Sequence, residues 1–122
     1  MDSSYVVTES ARNVCRELGS GYRENVYHQA LIAELSKNDI EITTEPTIPV
    51  YYAGKPVARV HPDLIVGDGN EKFIVELKAG SDGTDQLQTY IDTAERAGMS
   101  DIEGGVMVSF GDISDFFTTE LY

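Results

Sequence analysis

Two apolar runs flank the segment Gly67-Asp68-Gly69-Asn70, and each ends in polar residues: His61-Pro62-Asp63 on one side, Glu76-Leu77-Lys78 on the other. Clusters of glycine, aspartate and asparagine of this kind mark tight turns between strands. The hairpin this predicts fixes a register as well as two strands. Residues equidistant from the turn face one another, and Asp63 and Glu76 are symmetric about the midpoint between Gly69 and Asn70. Side chains alternate faces along a strand. In a strand from Val57 to Val66, Asp63 shares a face with Val57, Arg59, His61 and Ile65. In a strand from Phe73 to Lys78, Glu76 and Lys78 share a face with Ile74, opposite Phe73, Val75 and Leu77. Strand rise puts the Cα atoms of Glu76 and Lys78 about 6–7 Å apart.

Charged groups at the end of an apolar strand are costly to bury unless they pair or bind something. Two adjacent carboxylates repel, and a divalent cation removes that cost. The residues alone leave two readings open: a cluster in which Lys78 neutralises Asp63 and Glu76, and a metal site. With one cysteine, Cys15, and two scattered histidines, His28 and His61, a zinc site of the usual spacing is excluded. Any metal would be a hard ion held by carboxylates, such as magnesium or manganese. Cys15 reads as a small buried apolar residue, His61 as a structural histidine and His28 as exposed.

The rest of the chain supplies a frame. Val7, Ala11, Val14, Cys15 and Leu18 form one stripe of a helix from Val6 to Leu18. Gly19 stops it. A second helix runs from Arg23 to Lys37 with Tyr27, Leu31 and Leu35 inward, Ser20 as its expected cap and Glu24 in its first turn. Ile40 to Tyr52 is rich in strand formers, and Pro46 and Pro49 point to an edge or a bulge. Ala53-Gly54-Lys55 is a hairpin turn, Gly80–Gly83 a loop, Thr84–Ala97 a helix stopped by Gly98, and Gly105–Phe110 a strand. Phe116–Tyr122 is left as an edge strand or a mobile end. The order ααβββαβ predicts an α/β (α+β) domain spanning residues 1–122, with a mixed sheet flanked by helices.

Four pieces of this pattern resemble a known family. Pro62-Asp63 followed by Glu76-Leu77-Lys78 is similar to the PD…ExK signature of the PD-(D/E)XK nuclease superfamily. Gly21-Tyr22-Arg23-Glu24-Asn25-Val26-Tyr27 matches the G-x-x-E-x-x-Y motif of the GxxExxY protein family, and Gln86-Leu87-Gln88-Thr89-Tyr90 resembles its Q-L-x-x-Y helix. The similarity runs from about Leu18 to Phe110 and implies a restriction-endonuclease-like core. It also implies roles. Asp63 and Glu76 would be the principal metal ligands, Glu24 a further one, and the Leu77 carbonyl another. Lys78 would activate the attacking water and stabilise charge on the phosphate. Gln86 and Tyr90 would contact substrate or position Lys78. The implied function is Mg²⁺- or Mn²⁺-dependent hydrolysis of nucleic acid, with DNA as the expected strand. The competing reading is a catalytically silent module of the same fold, serving as a protein-interaction or nucleic-acid-binding subunit. A homodimer or a recruiting protein partner fits either.

Charge complicates that function. Twenty-one acidic residues against nine basic ones give a net charge of −12, and phosphate binding is driven largely by basic groups. The acids are spread along the chain rather than gathered in a tail. Two readings fit: an ordinary acidic protein, and a salt-adapted one, since at ~1 M salt the screening length falls to ~3 Å. Arg23 and Arg59 are candidates for phosphate contact or for surface ion pairs. No apolar run approaches the ~20 residues of a membrane helix, and no leader pattern is read at the start. The expectation is a cytoplasmic protein, of halophilic or viral origin, that does not enter a membrane.

Overall fold

The computed structural model describes residues 2–79, 83–111 and 116–122. Of the loop expected at Gly80–Gly83, residues 80–82 lie outside that set. Helix α1 covers Ser3–Leu18, and the Asp2 side chain caps it by accepting from the Ser4 amide at 3.0 Å. Its expected stripe is the inward one: Val7, Ala11, Val14 and Cys15 are buried. Helix α2 covers Glu24–Leu35 and buries Tyr27, Leu31 and Leu35. Its N-cap position is Arg23, not Ser20.

The extended middle differs from the expectation of three long strands. Ile40–Tyr52 divides into β1, Glu41–Thr44, and β2, Ile48–Tyr52. Val57–Val66 divides into β3, Lys55–Val60, and β4, Leu64–Asp68. Then come β5 (Glu71–Ala79), helix α3 (Thr84–Arg96), β6 (Ile102–Phe110) and β7 (Phe117–Leu121). The order is therefore ααβββββαββ. The breaks have a local cause: Pro46 and Pro62 lack the amide a ladder needs, and Glu45 just before the first has a positive φ of 48°. Between the breaks, β2 and β3 pair only with each other through a two-residue turn whose residues, Ala53 and Gly54, both have positive φ, the geometry that matches strand twist.

The remaining five strands form one sheet in the order β1-β4-β5-β6-β7. The β4–β5 register pairs Leu64 with Val75 and Ile65 with Ile74, the symmetry read from the turn. β5 and β6 are parallel, a pairing that needs a crossover, here α3. One face of the sheet, with Leu64, Val66, Phe73, Val75, Val106 and Val108, packs against α1 and α2. The other, with Ile65, Ile74 and Met107, packs against Leu87, Tyr90, Ile91 and Ala94 of α3 and against Ile48 of β2. Each fully buried side chain of this size contributes about 1.5–3 kcal/mol. Among the described residues, no helix is long and apolar enough to cross a membrane.

Candidate active site

The site lies where the ladder runs out. β4 begins at Leu64, so the amide of Asp63 has no strand partner; the Glu76 carboxylate accepts from it at 2.9 Å. The Asp63 carboxylate in turn accepts from the amide of Leu77 at 2.8 Å. Two side chains thus extend the β4–β5 pairing by one step. Alternation along β5 turns Glu76 and Lys78 to the α3 side, as the hairpin reading predicts.

Glu76 is 4 % exposed. Its carboxyl is pushed up from 4.5 to about 7, first by burial and next by the Asp63 charge; the amide bond and the Lys78 ammonium act against that rise. Near neutrality Glu76 therefore tends to keep a proton. Tyr90, buried on α3, feels the same place: burial, Glu76 and Asp63 all raise its hydroxyl. Gln86, one turn earlier, donates to that hydroxyl at 2.8 Å and so fixes it. The stem of Lys78 lies against Gly83, where a Cβ would come 2.8 Å from Lys78 Cε. A bare backbone is what gives the lysine room.

Glu24 arrives from the other layer through Gly21, Glu24 and Tyr27. Gly21 has φ 104°, a conformation that favours glycine, and it turns the chain into α2. Tyr27 is 1 % exposed and stacks on Phe110 at 4.7 Å. Its hydroxyl donates to the Gly19 carbonyl at 2.6 Å and accepts from the Tyr22 amide. The loop is pinned, and Glu24 stands at the first position of the helix, where the helix dipole favours an anion.

These elements enclose a cavity of about 370 Å³ lined by Glu24, Asp63, Glu76, Leu77, Lys78, Gln86 and Tyr90, together with Asn25, His28 and His61. Among the described residues, no three His, Cys, Asp or Glu side chains are grouped to hold a metal as they stand. The donors are nonetheless of one kind, carboxylate and carbonyl oxygens, which suits a hard cation.

The sequence model of the PD-(D/E)XK nuclease superfamily matches residues 1–117. The chain belongs to that superfamily. Its mixed five-stranded sheet flanked by helices is the restriction-endonuclease-like fold expected from the resemblance. No curated protein matches the chain, and no solved structure does. Within this PD-(D/E)XK chain, three lining residues fall outside the site drawn from sequence. His28, expected to be exposed, is half-buried, and its Nε2 is buried without a hydrogen-bond partner among the described residues. His61 lies at the rim with Nδ1 3.3 Å from Thr47 Oγ1. Asn25 was missed; its only signal is that it follows Glu24 in the same first turn. Arg23 is exposed and does not line the cavity. Cys15 is buried as expected, with Sγ 2.9 Å from the Gly111 carbonyl.

Proposed function

We propose that the chain is a Mg²⁺-dependent nuclease hydrolysing phosphodiester bonds of DNA, in the GxxExxY branch of the superfamily. The observation that carries this is the meeting of Asp63, Glu76 and Lys78 in one cavity with a glutamate held near neutrality. Mg²⁺ is commonly bound by one or two carboxylates, with waters and substrate phosphate completing the shell. Asp63 and Glu76 would hold it, with Glu24 and the Leu77 carbonyl as further oxygens. When bound, the ion lowers the pKa of a water and acts as a Lewis acid toward the phosphate. The protein's own groups do the rest. Glu76 must release its proton before it can ligate. Lys78 presents a cation where negative charge develops on the phosphate. Gln86 and Tyr90, bonded to each other, line the same cavity as a polar wall. The test is cleavage of DNA by purified protein with Mg²⁺ or Mn²⁺, at low and high salt, beside Glu76→Ala and Lys78→Ala. Each substitution is expected to lower the rate about 10²–10³-fold; cleavage indifferent to both would overturn the proposal.

The silent-module reading has one observation in its favour: both carboxylates already satisfy backbone amides, so the strand end is complete without an ion. Metal titration separates the two. Saturable Mn²⁺ binding that disappears in Asp63→Ala supports the nuclease; a chain that takes up no ion is the silent module. We further infer that the net charge of −12 is an adaptation to salt. Stability that rises into molar salt is expected, and full stability in dilute buffer would contradict it.

A further inference from the structure

The β2–β3 ribbon lies in the longest acid-free stretch of a very acidic chain. From Pro46 to Pro62 there is no aspartate or glutamate, yet the segment holds Lys55, Arg59 and His61. Among the described residues it also holds the longest exposed run. Every residue from Tyr51 to Arg59 is exposed although the strands are paired, including Tyr51 at 43 %, Tyr52 at 75 % and Val57 at 60 %. An isolated two-stranded ribbon is marginal by itself; this one is anchored at its base, where Ile48 is fully buried against α3.

Its two sides differ. Ile48 and Val50 take the side toward α3. Alternation along β2 gives Pro49 and Tyr51 the other, joined by Arg59, which pairs with Pro49; a bulge in β3 follows, so that Val50 pairs with Ala58 and Tyr51 with Pro56. The same register continued one step pairs Thr47 with His61, and their side chains do meet, at 3.3 Å. Thr47 and His61 line a hollow of about 590 Å³ together with His28, Glu45, Pro62 and Asp63, and His61 and Asp63 line the site cavity as well. The side bearing Tyr51 and Arg59 is thus continued at its base by Thr47 and His61, and His61 lines the site cavity. Among the described residues, Arg12, Lys37 and Lys72 are paired with glutamate or aspartate, whereas Lys55 and Arg59, like Arg16, Arg23, Lys78 and Arg96, are in no ion pair.

We propose that this side of the ribbon holds a single DNA strand, with a base stacked on Tyr51 and a phosphate on Arg59, and leads it past Thr47 and His61 to Asp63 and Glu76. An exposed aromatic beside a free cation is how single strands are held without sequence preference. Bases in a duplex are stacked on one another and cannot stack on Tyr51. The positive charge of the ribbon complements phosphate where the rest of the surface repels it. The inference rests on the nuclease reading for the strand's destination, but its test does not depend on cutting.

Binding of fluorescent oligodeoxythymidine to the full chain in EDTA, followed by anisotropy across a salt series, reads it directly. Tyr51→Ala is expected to weaken binding about ten-fold and Tyr51→Phe to preserve it. Arg59→Gln should weaken binding and reduce the salt slope by about one. Tyr52→Ala, on the opposite side, should leave affinity unchanged. All three positions are solvent-facing, so thermal midpoints should match the parent and show that each variant is folded. Undetectable binding, affinity unmoved by Tyr51→Ala and Arg59→Gln, tighter binding of duplex or of oligouridine, or a ribbon variant that turns a dimer into a monomer would each overturn the proposal. A chain that binds through Tyr51 and Arg59 yet does not cut with Mg²⁺ upholds it and fails the nuclease reading. One that cuts but binds identically in every variant does the reverse.

Discussion

β5 shows two faces to two helical layers, and the faces serve different ends. Toward α1 and α2 it sends Phe73, Val75 and Leu77, all buried among apolar side chains. Toward α3 it sends Ile74, equally buried, and then Glu76 and Lys78. The change comes where β4 has stopped pairing and only the Asp63–Glu76 exchange remains. One face holds the sheet together along its whole length; the other does so for half its length and then turns to chemistry. The lesson is that the one buried carboxylate of the described core stands where pairing with β4 has ended, although β5 stays paired with β6 beyond it.

Three experiments press on that contrast, taken from the largest expected effect. Phe73→Ala should cost about 3–5 kcal/mol of stability in denaturant unfolding, because its ring is lost from a packed core. Cleavage per folded molecule should be unchanged; a parallel fall would mean that the two faces are not separable. Next comes pH. Glu76 titrates near 7 in the folded chain against 4.5 for a free glutamate. Between these values the folded chain keeps a proton that the unfolded chain has released. Its contribution to stability is therefore complete below pH 4.5 and is lost as pH rises through about 7. Glu76→Gln should flatten this part of the stability–pH curve, and Mg²⁺ binding to the parent should tighten as pH rises through the same window. A curve of unchanged slope in Glu76→Gln would assign the proton elsewhere. The smallest effect is expected from Tyr27→Phe, which removes the hydroxyl bonded to Gly19. It should lower stability by about 1 kcal/mol and, by loosening the loop before Glu24, reduce Mg²⁺-dependent cleavage more than it reduces DNA affinity. Equal loss of both would place Glu24 outside the ion site.

The parts legible in the sequence were those set by local rules. The Gly67–Asn70 turn gave the β4–β5 register, and alternation gave the shared side of Glu76 and Lys78. The α1 stripe and the Gly98 stop of α3 were equally local. The division of the two long extended segments was not. Alternation runs through Pro62 undisturbed, and nothing nearby says that β3 will pair with β2 while β4 pairs with β1 and β5; that is a competition between distant partners. The final edge strand, β7, was left undecided for the same reason. Glu24 became visible through resemblance alone, since its place depends on how α2 packs against β5. Asn25 and the half-burial of His28 depend on that same packing.

The reciprocal bonds between Asp63 and Glu76 and the neighbouring amides have a consequence for descent. These two side chains hold the end of a strand whether or not any reaction occurs, whereas the Lys78 ammonium has no lone pair with which to accept from an amide. A lineage that stopped cutting would be free to lose the lysine early. It would be pressed to keep an amide-accepting side chain, asparagine or glutamine as readily as the acids, at positions 63 and 76. Silent descendants of this chain should therefore carry the outline of the site long after its charge has gone.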